Sequence, residues 1–139
     1  MTVGRLGWLS RKSEDARFAG SDVCFDVAAL CSAIEARDAE AQIPMYSLDA
    51  DVMVVDPDHP PRSPMRLHGR DAIASWISEI CYLNMTHHVV DVVRGGDRIA
   101  FTEEGLYRDG TKVLSASTAT VRDGLIRSQR VVLVWDDWE

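Results

Sequence analysis

Apolar positions fall into two regimes along the chain. In the first half they recur at helical steps. Val27, Leu30, Cys31 and Ile34 lie three and four residues apart and form one stripe, with Glu35, Arg37 and Asp38 off it. Ser21 or Asp22 is a suitable N-cap, so a helix is predicted over 22–35. A second helical stretch, 39–48, contains Pro44, which must open a turn of helix or kink it. Ile73, Trp76, Ile77 and Ile80 then place a third helix over 72–83, with Trp76 and Ile80 in a core stripe.

Between these helices, Val52, Met53, Val54 and Val55 form an apolar run bounded by acids and read as a strand, followed by a proline-rich loop over 57–66. From His87 onward the period changes to two. Four strands are expected, over 87–93, 98–107, 112–121 and 125–135, with breaks at Gly95-Gly96-Asp97, Asp109-Gly110 and Asp123-Gly124. Asp-Gly between alternating runs is a strong hairpin signal. Helices first and long strands afterwards predict an α+β fold with a curved antiparallel sheet wrapped around the N-terminal helices. Helices can cover only one face of such a sheet, so the other is expected to pair with a second copy of the chain.

Length and composition narrow the picture. A chain of 139 residues suits one domain. Residues 1–20, with mixed charge and no sustained period, are expected to be a flexible arm ahead of a single domain over 21–139. The net charge is −7 and there is no basic stripe, which argues against nucleic acid or an anionic membrane as partner. No apolar run approaches a membrane span or a signal peptide. Cys24, Cys31 and Cys81 are odd in number and match no zinc spacing, so reduced thiols in a cytoplasm are expected. His59, His68, His87 and His88 form no helical metal pair, and no metal or cofactor is implied. Ser115 and Ser117 lack the surroundings of a nucleophile elbow.

The order LDADVMVVDP, a loop with Pro61-Arg62-Ser63, a glycine and a helix starting DAIASWI resembles ketosteroid isomerases, which share an Asp-Pro after the first strand, a Pro-Arg-Ser loop and an Ala-Ile helix. FTEEGLY is similar to an isomerase strand that starts Phe-Thr and ends in Tyr, and TVRDGLI resembles the last hairpin of many relatives. Over residues 22–136 the chain thus resembles the nuclear-transport-factor-like superfamily, which includes SnoaL-like polyketide cyclases. The resemblance implies a cone-shaped αβ barrel, a homodimer and a pocket for a small hydrophobic molecule.

It also assigns Asp56 to the position of the isomerase general base; the alternative is a carboxylate that only ends a strand and shapes a turn. The isomerases' oxyanion tyrosine falls in the stretch Leu30-Cys31-Ser32 and their oxyanion acid near Thr118, so neither donor is kept and steroid isomerisation is not expected. The resemblance turns the Phe101 face into the cone, and alternation then puts Glu103 and Tyr107 on the pocket side; alternation by itself also allows Glu103 on a wet face, in solvent or paired to an arginine. Asp91 at even spacing from His87 suggests that His87 faces water. His88, with Val90 and Val92, is then the inner histidine, catalytic or simply satisfied in the core.

Gln129 and Trp135 share an inward face of the last strand, and Tyr46 is a substitute donor or a core aromatic. The catalytic candidates are therefore Asp56, Glu103 and His88; the ligand-binding candidates are Tyr46, Phe101, Tyr107, Thr118, Gln129 and Trp135. Two functions compete. One is cofactor-free proton transfer of the cyclase, isomerase or dehydratase kind. The other is a non-catalytic module, either one that binds a ligand in the same pocket or, if the cone proves to be filled, a dimerisation or accessory subunit.

Overall fold

The computed structural model describes residues 24–136, so the expected arm at 1–20 lies outside the described residues. Helix α1 spans Val27–Glu35 and α2 spans Ala39–Gln42, followed by a 3-10 turn, Ile43–Met45. Strand β1 is Tyr46–Val55, β2 is Met65–His68 and α3 is Arg70–Tyr82. Strands β3 (Met85–Gly95), β4 (Arg98–Tyr107), β5 (Lys112–Arg122) and β6 (Leu125–Trp135) complete the described residues.

Helix α1 starts later than expected. Asp26 is its cap and accepts a hydrogen bond from the Ala29 N–H, while residues 24–26 are not helical. Pro44 ends the second helical segment in a 3-10 turn, which releases Tyr46 into a strand that begins five residues before the expected Asp51. The loop after Pro57 yields a short strand that the sequence pattern did not reveal; four residues are too few to display a period.

The six strands form one open sheet in the order β2-β1-β6-β5-β4-β3. The expected antiparallel pairing holds for four neighbours, but β1 and β6 run parallel, because the chain returns to the first strand only after the β3–β6 meander. The β5–β6 hairpin turns through Asp123 and Gly124, both at positive φ, the geometry that favours Asp-Gly in a two-residue loop. The concave face and the helices share one core. Leu30 and Ile34 of α1 and Ile73 and Ile77 of α3 pack against Val52, Val54, Ile99 and Phe101.

One irregularity resets the meander. Val90 pairs with Thr102 but Val93 pairs with Ala100, so β3 carries one extra residue at a bulge, where Asp91 adopts φ 55°. The inward parity of β3 is therefore odd before the bulge and even after it. Arg94 lies beyond the bulge, cross-strand from buried Ile99, and donates to the Phe25 carbonyl at 2.7 Å.

Candidate functional site

Between the helices and the concave face lies a cavity of about 270 Å³. Its helix side is mostly apolar, with Leu30 and Ile34 from α1 and Trp76, Ile77 and Ile80 from α3; Gln42 of α2 is the polar exception. Its sheet side mixes apolar and polar groups because inward positions alternate along β4, β5 and β6. Phe101, Glu103, Gly105 and Tyr107 come from β4, Ser115 and Ser117 from β5, and Gln129, Leu133 and Trp135 from β6. Asp56, just past β1, lines the same space. The cone is not filled.

Seven expected site residues meet here: Asp56, Glu103, Tyr46, Phe101, Tyr107, Gln129 and Trp135. Two do not. His88 faces away from the cavity, with its side chain 67% exposed and its Nδ1 3.2 Å from Glu35. His87 takes the inner position and its side chain is only 8% exposed. The inference from Asp91 fails because Asp91 itself sits in the bulge, so its even spacing from His87 does not mean a shared face. Thr118 is the second correction. It pairs with Ala100 and Arg130 on the convex face and is exposed, whereas Ser117 beside it points inward. Ser115, Ser117 and His87 are thus site residues that sequence reasoning missed. The phase that places Phe101 inward, carried across the strand pairs, is the signal that identifies them.

The two carboxylates have different surroundings. Asp56 Oδ1 accepts hydrogen bonds from the Asp58 and His59 N–H groups, both at 2.8 Å, and lies 2.9 Å from His59 Nδ1. The side chain is 11% exposed, so Asp56 both shapes the turn and borders the cavity. Glu103 is 23% exposed and lies 3.6 Å from His87 Nδ1, beyond hydrogen-bond reach. It accepts no hydrogen bond from any described residue.

A polar string crosses the floor. The Tyr46 hydroxyl donates to Gln129 Oε1 at 2.5 Å, and Gln129 Nε2 donates to Ser117 Oγ at 3.2 Å. Burial, with the charge of Glu103 adding to it, raises the Tyr46 pKa far above the usual phenol value, so this residue is a neutral donor. Arg70 anchors it by donating to the Tyr46 carbonyl from Nε at 2.9 Å and Nη2 at 2.6 Å. Cys81 also borders the cavity; burial raises its thiol pKa, which disfavours a nucleophilic thiolate.

An α+β cup with a mostly apolar cavity and a few inward polar groups has the form of a small-molecule pocket. The model of the SnoaL-like domain matches residues 27–129, and the chain belongs to that family. No curated protein matches it. Its structural relatives include an NTF2-like protein of unknown function from Mesorhizobium loti, at 18% identity over 77% of this chain and 86% of that one, with a TM-score of 0.69. A "putative ketosteroid isomerase" from Kribbella flavida is 18% identical over 81% and 76%, with a TM-score of 0.60. IdmH, a "putative polyketide cyclase" from Streptomyces antibioticus, is 22% identical over 77% and 88%, with a TM-score of 0.58. At such identities the likeness is one of fold. Among the described residues no helix is long and apolar enough to cross a membrane.

Proposed function

We propose that the chain binds a small, mainly apolar molecule in its cone and moves a proton on it, with Glu103 as the base and His87 as its charge partner. The observation that carries this reading is the Glu103–His87 pair, 3.6 Å apart on the wall of an open apolar cavity. A largely buried carboxylate with no hydrogen-bond donor among the described residues is unfavourable in a structural role and available to a ligand. In the proposed step Glu103 takes a proton from a carbon next to a carbonyl. The electron pair moves into the enolate, and the proton returns to carbon or exchanges with water, which restores the carboxylate.

The test needs no knowledge of the natural ligand. The bicyclic ketone 2-tetralone, incubated in D2O, should incorporate deuterium beside its carbonyl faster with the protein than with buffer carboxylate at equal concentration. Binding without accelerated exchange would leave the second reading, a binding module without chemistry. That reading is favoured by Asp56, whose Oδ1 is occupied by the turn.

We also propose a homodimer through the convex sheet face and a reducing compartment such as the cytoplasm. The dimer is supported by the exposed Leu106, Leu114, Val132 and Val134 on that face. The compartment is supported by three cysteines without a disulfide. Light scattering should give twice the 15.5 kDa chain mass. Val134→Lys should reduce it to the monomer value.

A further inference from the structure

The Tyr46–Gln129–Ser117 string contains a surplus donor. Its Tyr46 and Ser117 hydroxyls each bring one proton and the Gln129 amide brings two, the second of which has no acceptor among the described residues. Tyr46 gives its proton to Gln129, and the Ser117 oxygen receives one from the amide, so the Ser117 proton has no acceptor among the described residues. Turning the amide over moves the surplus to the Tyr46 hydroxyl and does not remove it. Ser117 is 2% exposed and lines the cavity, as does Tyr46, so water reaches this donor only through the ligand space.

Charge limits what can accept that proton. Asp56 and Glu103 both line the cavity, and none of the described lining residues is Lys or Arg. A ligand carboxylate or phosphate would meet two acids with only His87 in opposition, whereas a neutral oxygen would meet a donor at no such cost. Position adds a further condition. Ser117 pairs across the strands with Phe101, and Ser115 with Glu103, so Ser117 and Glu103 are diagonal neighbours on one face, roughly 7–8 Å apart along the backbone. An oxygen held at Ser117 would present the carbons next to it toward Glu103.

We propose that the Tyr46–Gln129–Ser117 string is a recognition subsite for a neutral acceptor oxygen, a carbonyl or ether, and that the cavity selects uncharged oxygenated ring compounds over both hydrocarbons and anions. The inference rests on the cone being a ligand site and goes further by naming the group that the site reads.

Affinities measured by calorimetry for three molecules of one shape test it: 2-tetralone, the hydrocarbon tetralin, and the anion 2-naphthoate. The expected order places 2-tetralone about tenfold tighter than tetralin, the scale of one well-placed hydrogen bond, and 2-naphthoate weakest. Ser117→Ala should bring 2-tetralone down to the level of tetralin while tetralin binding persists, which also shows that the variant is folded. Equal affinity of the ketone and the hydrocarbon for the wild-type protein would overturn the subsite and leave the apolar cavity standing. So would a preference for the ketone that survives in both Ser117→Ala and Tyr46→Phe. Tightest binding of 2-naphthoate would overturn the charge argument. Failure of all three to bind would remove the ligand-site reading itself.

Discussion

Asp56 and Glu103 border one cavity from strands three places apart in the sheet, and the fold treats them differently. The region after β1 supplies Asp56 with two backbone N–H groups and the His59 ring, all within four residues of sequence. The β3–β4 wall gives Glu103 an imidazole at 3.6 Å and no hydrogen bond from a described residue. Local turn chemistry satisfies the first carboxylate whatever the cavity holds. The second was brought inward by strand phase and depends on what enters. The residue to which family resemblance points is therefore the better anchored of the two, and the residue proposed as the base is the one without a donor among the described residues.

The sharpest way to break this comparison is to neutralise each acid in turn. Glu103→Gln should reduce 2-tetralone exchange by about 100-fold or more, the lower range for loss of a positioned base. Asp56→Asn should change it by less than about threefold, since Asn retains the turn-forming acceptor. The reverse result would return the base role to Asp56. Stability should order the two the other way. Asp56→Ala is expected to cost about 1–2 kcal/mol by urea denaturation, from the lost turn hydrogen bonds. Glu103→Gln is expected to leave stability equal or higher, because a poorly satisfied charge is removed.

A smaller effect should come from the space beside the pair. Gly105 faces His87 across the strands, and a Cβ there would stand 2.6 Å from the Met85 Cε methyl. Methionine is flexible enough to yield. Gly105→Ala should therefore displace Met85, which also lines the cavity, and weaken 2-tetralone binding by about three- to tenfold, with a stability loss of about 1 kcal/mol. Unchanged affinity would show that the ligand does not use this wall.

The smallest effects lie at the surface and depend on pH. The hydrogen bond from His68 to Asp51 raises the His68 pKa above its ordinary 6.5. The folded state thus holds this proton more tightly than the unfolded state, and the stabilisation is full below 6.5 and lost as pH rises through the raised value. Glu35 behaves oppositely. The Val89 N–H, and then His88, lower its pKa below 4.5, so its contribution is full above that value and lost as pH falls through the lowered one. Urea midpoints measured between pH 5.5 and 8.5 should show a small decline that Asp51→Asn removes.

Much of this molecule was legible in the sequence. The period change near His87 and the Asp-Gly turns define the meander, and the Ile73–Ile80 stripe defines α3. On β4 the resemblance supplied the phase by turning Phe101 inward, and alternation carried Glu103 and Tyr107 to the cavity wall with it because β4 is regular from end to end; alternation by itself left the wet face open. Phase failed on β3, where a bulge adds a residue without any apolar signature; Asp91 at positive φ is marked only by the tolerance of Asp for that conformation. Thr118 was misplaced by one residue through a resemblance that fixed a neighbourhood and not a register. The parallel pairing of β1 with β6 left no local trace, since contact between strands so distant in sequence is settled by closing the cup rather than by either strand's composition.

Among the described residues the open sheet has two borders without a further strand, and the chain treats them unequally. At one border β2 is four residues long, too short a template for another chain to extend. At the other, β3 is eleven residues long and rich in valine, a hazard for aggregation. Side chains from the end of α1 occupy part of that border: Glu35 accepts the Val89 N–H at 2.8 Å, and Arg37 donates to the Met85 carbonyl at 3.2 Å. The polar end of a helix therefore serves as a guard rail. Backbone groups that would otherwise recruit a neighbouring molecule's strand are already engaged, which helps a cup open at its rim to remain a discrete particle at high concentration.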